Sequence, residues 1–173
     1  MPTGSPQTPK KRPVIEIPYS QLEVMLELVI GIGIVLVFIL LASKWQQIPN
    51  TVPTHFSASG IVDSWGNKWS LLALPCVEVV LYVILTIISR FPHTFNFPWP
   101  ITEDNALRQY RIGRLMMISL KAETVWLFTY LEWQSVQVSI GKAMGLGIAF
   151  LPITILAVFG TISVLLYKAY KAR

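Results

Sequence analysis

Long, almost uncharged hydrophobic runs are the feature that most constrains the fold of this chain. A helix needs about 20 apolar residues to cross the roughly 30 Å hydrocarbon core of a bilayer. Charged residues make up only 13% of the sequence and hydrophobic residues 53%, against about 25% charged residues in an ordinary soluble domain. We therefore predict one all-α integral membrane domain over residues 21–173, with transmembrane helices at about residues 24–43, 71–89, 113–137 and 144–167.

The distribution of lysine and arginine predicts the orientation of these helices. Basic residues concentrate in residues 1–20, 90–114 and 168–173 and are sparse in residues 44–70. Because cytoplasmic segments carry the excess of lysine and arginine, both termini should be cytoplasmic and residues 44–70 should be extracytoplasmic. Residues 1–20 are rich in proline, serine and threonine, which predicts a disordered cytoplasmic tail. The net charge of +5 then reflects membrane orientation, and we expect no nucleic-acid partner.

The third helix is predicted to be longer than the membrane is thick. Thr102 and the two acidic residues after it are typical of a helix N-terminus, and no strong helix breaker follows before about residue 137. About 35 residues at 1.5 Å each give roughly 50 Å. We therefore expect a basic helical stalk that projects from the membrane and carries Arg108, Arg111 and Arg114.

The loop between the first two spans is the most distinctive polar segment, QQIPNTVPTHFSASGIVDSWGNKWS. Pro49 and Pro53 disfavour helix at the residues before them, and Gly60 and Gly66 are predicted to supply turn positions with positive φ. Three tryptophans in and beside the loop favour the headgroup layer of a membrane. We predict a compact extended-and-turn structure lying on the membrane surface.

Two loop residues have acid–base or metal-binding capacity, His55 and Asp63. They are too few for a zinc site, which normally recruits three or four protein ligands, so we expect no metal. In a structural interpretation, His55 bonds a backbone carbonyl, Asp63 caps the turn at residues 64–66, and Lys68 pairs with Asp63 or a lipid phosphate. In a functional interpretation, the loop is a binding or sensing surface.

Ionisable residues inside the predicted spans form the second group of candidates. Each costs about 2.5 kcal/mol or more at the bilayer centre and is usually paired or functional. Lys121 and Glu123 are two residues apart on one helix, so they cannot neutralise each other. We predict that Lys121 bridges to Glu27 or Glu78 as an ion pair between helices. A proton or ion pathway is the alternative, and Glu132 is expected near the outer interface, where water solvates it.

No catalytic motif is present. The sequence lacks a Gly-x-Ser-x-Gly elbow, a phosphate-binding loop and a Cys/His pair, which are the usual marks of hydrolase, nucleotide-driven and thiol mechanisms. We therefore expect neither enzymatic activity nor a cofactor. The single cysteine, Cys76, excludes an intrachain disulfide.

The segment IPNTVPTHFSASGIVDSWGNKWSLL resembles the pattern of domain-of-unknown-function family 1648, which also forms the N-terminal part of SdpI-type immunity proteins. The later segment FNFPWPITEDNALRQYR is similar to that of single-domain members with four spans. The resemblance implies an uncharacterised protein of the bacterial inner membrane. The loop residues that match the pattern are Pro53, His55, Phe56, Gly60, Asp63, Gly66 and Lys68.

Three functions fit these features. The first is a binding, sensing or immunity-like module whose outer loop contacts an extracytoplasmic protein or peptide, with the lipid bilayer as its surroundings. The second is a small transporter or channel subunit that uses Glu78, Lys121 and Glu123. The third, an enzyme centred on His55, has the least support because no catalytic partner accompanies the histidine.

Overall fold

The computed structural model describes residues 12–173. In chain order the elements are α1 (Gln21–Lys44), β1 (Thr51–Phe56), β2 (Val62–Asn67), α2 (Ala73–Ser89), α3 (Ala106–Ser139) and α4 (Phe150–Lys171). The strands form a two-stranded antiparallel sheet between α1 and α2. The protein is therefore mostly helical, with one small β-hairpin.

Three helical segments within residues 12–173 are long and apolar enough to cross a membrane, Gln21–Gln47, Lys68–Ser89 and Phe150–Lys171. They comprise α1, α2 and α4 with the short 3₁₀ turns that adjoin the first two. Helix α3 is not among them, because polar and charged side chains recur along its length. The structure bears out a helical membrane protein, and the fourth span, within α3, stays a prediction.

Helix α3 is the centre of the bundle and packs against each of the other three helices. Arg114 near its start contacts Glu23 near the start of α1, and Thr129 further along donates to the carbonyl of Gly33 in the middle of α1. Helices α1 and α3 are therefore parallel. Because Gln109 near the start of α3 contacts Ala169 near the end of α4, α4 runs antiparallel to α3.

This arrangement gives the bundle two different ends. The hairpin end carries the two strands and the α3–α4 connection, residues 140–149, which bond to each other. The terminal end carries residues 12–20, residues 90–105 and the end of α4. The two ends of the described chain thus lie at the same end of the bundle.

The outward faces of α1, α2 and α4 are apolar. Leu28 on α1 is 64% exposed and Leu156 on α4 is 73% exposed, as expected for side chains in contact with lipid. The interior between α1 and α3 holds a small apolar cluster of Ile30, Ile118, Ala122 and Val125. A second cluster, of Leu41, Ile48, Val52, Leu71 and Val136, lies at the base of the hairpin.

Helix boundaries differ from the predicted ones where side chains or glycines terminate the helix. Helix α1 begins at Gln21 because the Ser20 hydroxyl and the Glu23 carboxylate cap each other's backbone amides. Helix α3 begins at Ala106 and not at Thr102, since the Asn105 side chain accepts from the Thr102 amide at 2.9 Å and holds a turn there. Helix α4 begins six residues late, at Phe150, because Gly147 has a φ of +82°.

The predicted projecting stalk at the start of α3 is wrong. The Gln109 side chain is fully buried and donates to the Ala169 carbonyl at 2.8 Å. The Tyr110 hydroxyl donates to the Pro13 carbonyl at 3.1 Å. The first turns of α3 are thus packed between the end of α4 and the segment that precedes α1.

The predicted disordered tail covered residues 1–20, of which residues 1–11 lie outside the described residues. Residues 12–20 contain no helix or strand, but they run along α3. Arg114 donates to the carbonyls of Ile17 at 2.7 Å and Pro18 at 2.8 Å. This part of the chain is therefore bound to the bundle by backbone contacts that composition does not reveal.

Candidate functional site

The β-hairpin supplies most of the residues that the sequence singled out in this loop. His55 lies opposite Ser64, and the pairing slips on both sides of the histidine. The His55 Nδ1 and the Asp63 Oδ1 are 2.6 Å apart, with 68% and 45% of the two side chains exposed. His55 therefore pairs with Asp63 across the strands, and not with a backbone carbonyl as in the structural interpretation.

The two loop glycines, Gly60 and Gly66, lie in different structural environments. Gly60 lies in the hairpin turn with a φ of +77°, as predicted. Gly66 lies in β2 without a positive φ, so the predicted turn there is wrong. A Cβ on Gly66 would meet the Thr54 Cγ2 at 2.6 Å, so a side chain at this position would require the exposed Thr54 side chain to move.

Lys68 ties the base of the hairpin to the end of α1. Its ammonium donates to the Trp45 carbonyl and lies 4.6 Å from the centroid of the Trp45 ring. Trp69 packs against the same indole, with the ring centroids 5.2 Å apart. The predicted pairing of Lys68 with Asp63 is therefore wrong, and the lysine instead joins the base of the hairpin to the end of α1.

The tip of the hairpin rests on the α3–α4 connection. The Leu146 amide donates to the Gly60 carbonyl at 2.8 Å, and the Tyr130 hydroxyl of α3 donates to the Leu146 carbonyl at 2.8 Å. The approach requires glycine at position 145, where a Cβ would lie 2.1 Å from the Gly60 oxygen. These contacts therefore hold the hairpin in place over the end of the bundle.

Between the hairpin and the helices is a cavity of about 560 Å³, within the range of about 300–1,000 Å³ usual for small-molecule sites. We call it the hairpin cavity. Four members of the loop pattern line it, namely Pro53, His55, Phe56 and Gly60, whereas Asp63, Gly66 and Lys68 do not. Its apolar walls include Leu71, Leu74, Leu131, Leu146, Phe150 and Leu151. The site combines an apolar volume with few polar groups.

Glu132 of α3 is the acidic group in the cavity lining. Its side chain is completely buried, and neither carboxylate oxygen has a hydrogen-bond partner within residues 12–173. The expectation that water solvates Glu132 near the interface is wrong, because the hairpin and the α3–α4 connection cover this end of α3. Sequence reasoning therefore named Glu132 and placed it near the outer interface, but missed its burial in the site.

Glu78 of α2 is the second carboxylate at this end of the bundle. It is 1% exposed, and both of its oxygens likewise lack a partner in the described part of the chain. It lies close enough to Glu132 for the two carboxylates to interact electrostatically. Two acidic groups from two helices are thus buried at this end of the bundle, and Glu132 is the one in the cavity lining.

Lys121 of α3 forms hydrogen bonds to side chains of α1 and α2. Its ammonium donates to both oxygens of Glu27, at 2.7 and 2.8 Å, and to the Thr86 hydroxyl at 2.9 Å. The Tyr82 ring lies 4.9 Å away, measured to its centroid. The structure therefore pairs Lys121 with Glu27 and leaves Glu78 out of the pair.

Glu123 points to the other side of α3 and accepts from the Thr161 hydroxyl of α4. The lysine and this glutamate thus cross-link α3 to different helices, as their two-residue separation requires. Of the intramembrane charges singled out from the sequence, Glu78 alone belongs near the hairpin cavity, and Glu27, Lys121 and Glu123 connect helices elsewhere in the bundle.

A second ion pair, between Arg114 and Glu23, escaped sequence reasoning. The Arg114 Nε and the Glu23 Oε1 are 2.7 Å apart, and both side chains are about 5% exposed or less. A signal was available, since Glu23 and Glu27 share one face of α1, and Arg114 and Lys121, seven residues apart, share one face of α3. Two acids facing two bases in the same order predict parallel helices.

Within residues 12–173, no group of three or more histidine, cysteine, aspartate or glutamate side chains is placed to hold a metal ion. The chemistry open to the hairpin cavity is therefore the binding of an apolar group together with a hydrogen-bond donor or a positive charge at Glu132.

Comparison with known proteins finds similarity over part of the chain. A 75-residue alignment, 36% identical, relates 39% of this chain to 41% of an uncharacterised protein of Archaeoglobus fulgidus. The match thus spans less than half of that relative. No solved structure matches the chain. Residues 32–79, from the second half of α1 through the hairpin to Glu78 and its neighbour on α2, match the family described as Domain of unknown function (DUF1648). The chain is therefore similar to that family over residues 32–79, and the hairpin that covers the cavity lies inside the matched segment.

Proposed function

We propose that this protein is a multi-pass membrane binding or sensing module that takes a ligand into the hairpin cavity from the outer side of the cell membrane. The observation that carries the proposal is the cavity itself, an apolar volume of about 560 Å³ lined by the hairpin and by Glu132. A largely apolar pocket with a few convergent polar groups is the usual form of a small-molecule site.

The proposal includes a fourth span within α3. Helix α3 lies parallel to α1 and contacts it from Arg114–Glu23 near their starts to the apolar cluster of Leu41 and Val136 near their ends. A helix packed along the length of a membrane-spanning neighbour crosses the same thickness of lipid. The polar residues of α3 are compatible with this position because the other three helices cover them, which is where membrane proteins place such groups.

The orientation follows from the two ends of the bundle. Arg12, Arg90 and Arg108 lie at the terminal end, together with the basic residues that close α4. The hairpin end has only Lys44, Lys68 and Lys142 among its described residues. On the positive-inside rule, we propose that the terminal end faces the cytoplasm and that the hairpin faces the outside.

A test of binding is to look for a ligand that is retained by the cavity. The protein, expressed in cell membranes and extracted in polymer-bounded lipid discs, is analysed by native mass spectrometry beside Leu131→Trp, which fills the cavity. Leu156→Trp, on the lipid-facing surface of α4, is the matched control. We expect a bound mass on the wild type and on the control that Leu131→Trp loses. Identical spectra for all three proteins would contradict the proposal.

A small transporter or channel subunit is the second candidate, supported by the two buried carboxylates of Glu78 and Glu132. Buried carboxylates in a bundle interior are the groups from which membrane proton relays are built. This candidate predicts cation or proton flux in proteoliposomes that Glu78→Gln abolishes. Flux that is absent from wild-type proteoliposomes, while the protein is folded and binds ligand, rejects it.

The immunity-like role implied by the resemblance is one form of the binding proposal, in which the ligand is part of a harmful peptide. The proposal assigns no catalytic step. His55 receives a structural role in the hairpin, because its bond to Asp63 joins the two strands at an exposed position. His55→Ala should therefore loosen the hairpin and weaken ligand binding without removing a chemical activity.

A further inference from the structure

We propose that the ligand of the hairpin cavity carries a primary ammonium group on an apolar stem, with Glu132 as its counter-ion. This inference rests on the proposed function and names the chemical class that the same site accepts. Because the Glu132 side chain is fully buried, it would turn toward the cavity to meet the ammonium, and the stem would lie along the leucine and phenylalanine side chains of the wall.

The first step is the state of Glu132. A buried carboxylate without a hydrogen-bond partner is costly, and both oxygens of Glu132 are in this condition while the side chain lies in the cavity lining. Nearby Glu78 adds a second acidic group with no partner in the described chain. No hydrogen-bond donor of the described chain bonds to these carboxylate oxygens, and a ligand that supplies a positive charge and N–H donors is complementary to them.

The second step is the origin of the positive charge. The residues that line the cavity include no lysine or arginine. Lys121, the basic residue buried in the bundle, already donates to Glu27 and Thr86. His55 lies in the cavity rim and is held by Asp63. A cation that keeps Glu132 ionised would therefore come from outside this set of side chains.

The third step is the kind of cation. Calcium takes six to eight oxygen ligands, and the residues described here offer no cluster for a metal ion. A primary ammonium needs fewer partners, since its three N–H donors suit one or two carboxylates. The apolar walls favour a hydrophobic substituent on that ammonium. A quaternary ammonium has the charge but no N–H donor, so it should bind less tightly.

The test uses three probes with the same eight-carbon chain, octylamine, octyltrimethylammonium and octanol. Binding is measured by calorimetry on the full chain in nanodiscs of phosphatidylcholine and phosphatidylglycerol, with empty nanodiscs subtracted. We expect octylamine to bind at least tenfold tighter than octanol, with octyltrimethylammonium between them. Glu132→Gln should lower octylamine affinity at least tenfold, and Glu123→Gln, which removes a buried carboxylate bonded to Thr161, should leave it unchanged.

The same ammonium could be part of a membrane lipid or of a free amphiphile. A further set of nanodiscs therefore contains phosphatidylethanolamine. If the headgroup amine is the ligand, this lipid should compete with octylamine in the wild type and not in Glu132→Gln. If octylamine affinity is the same with and without this lipid, the ligand is a free amphiphile that enters from water.

Two results would overturn the inference in different ways. Equal binding of octylamine and octanol, lost in Leu131→Trp, would show a binding cavity with no preference for ammonium, which leaves the proposed function intact. Binding of all three probes that Leu131→Trp does not weaken would place them outside the cavity and contradict the proposed function as well.

Discussion

The buried ion pair between Lys121 and Glu27 gives the most quantitative prediction. Lys121 is 1% exposed and donates three hydrogen bonds of 2.7 to 2.9 Å, two of them to Glu27 and one to Thr86. Glu27→Leu removes the carboxylate and leaves the ammonium with one hydroxyl partner. Removing one member of a buried ion pair costs about 3–5 kcal/mol of unfolding free energy. We expect a loss of about 3 kcal/mol for Glu27→Leu because the Glu27 side chain is 24% exposed, so the Lys121 ammonium gains some solvation when the carboxylate is removed.

The double variant makes this prediction specific. Lys121→Met alone should cost less than Glu27→Leu, since the remaining Glu27 carboxylate is partly exposed. In Glu27→Leu with Lys121→Met, both charges are gone and apolar side chains of similar volume take their places, a replacement that is often neutral or stabilising. The double variant should therefore be within about 1 kcal/mol of the wild type.

The assay is equilibrium unfolding in mixed detergent micelles, followed by circular dichroism and by tryptophan fluorescence. Lys142→Met, at an exposed position in the α3–α4 connection, is the control and should change the unfolding free energy by less than about 0.5 kcal/mol. Single variants that match this control, or losses that simply add in the double variant, would refute the reasoning.

Three other changes test separate parts of the structure. Gly145→Ala should separate the hairpin from the α3–α4 connection and lower the unfolding free energy by about 1–3 kcal/mol, because its Cβ would lie 2.1 Å from the Gly60 oxygen. Protease cleavage within the hairpin measures this separation. The control Gly31→Ala, with open space around its Cβ, should instead stabilise α1 by about 0.5–1 kcal/mol. Arg114→Met should release the residues that precede α1, seen as faster amide exchange there, whereas exposed Arg111→Met should not. Glu132→Gln should raise the unfolding free energy by about 1 kcal/mol while ligand binding falls, as expected when a buried functional charge is removed; a loss of stability would contradict the assignment of an unpartnered carboxylate.

The helical bundle was predictable because membrane insertion leaves a strong signal in sequence. Runs of about 20 apolar residues locate α1, α2 and α4, although the start of α4 was misplaced by six residues. The start depends on Gly147 in a left-handed conformation, and a single glycine in a hydrophobic segment does not reveal its own φ. Helix α3 was the hardest to define, because its role at the centre of the bundle requires the polar residues that lower its hydropathy.

The site was only partly predictable. The loop pattern pointed to His55 and Gly60, which line the hairpin cavity, but also to Asp63, Gly66 and Lys68, which hold the hairpin together and line no cavity. The burial of Glu132 was missed because it depends on the docking of the hairpin tip on residues 140–149. That contact is made by backbone groups and glycines, so neither hydropathy nor charge pattern encodes it.

The central claim is that the hairpin cavity opens to the outside of the cell and holds a ligand, and cysteine labelling tests it most directly. Cys76→Ser provides a background without native cysteine, and Ala58→Cys introduces a thiol at an exposed position of the cavity lining. We predict that a membrane-impermeant thiol reagent labels this cysteine in intact cells and not in inside-out vesicles, and that octylamine slows the labelling. Labelling only from the cytoplasmic side, or a rate that octylamine leaves unchanged, would contradict the account.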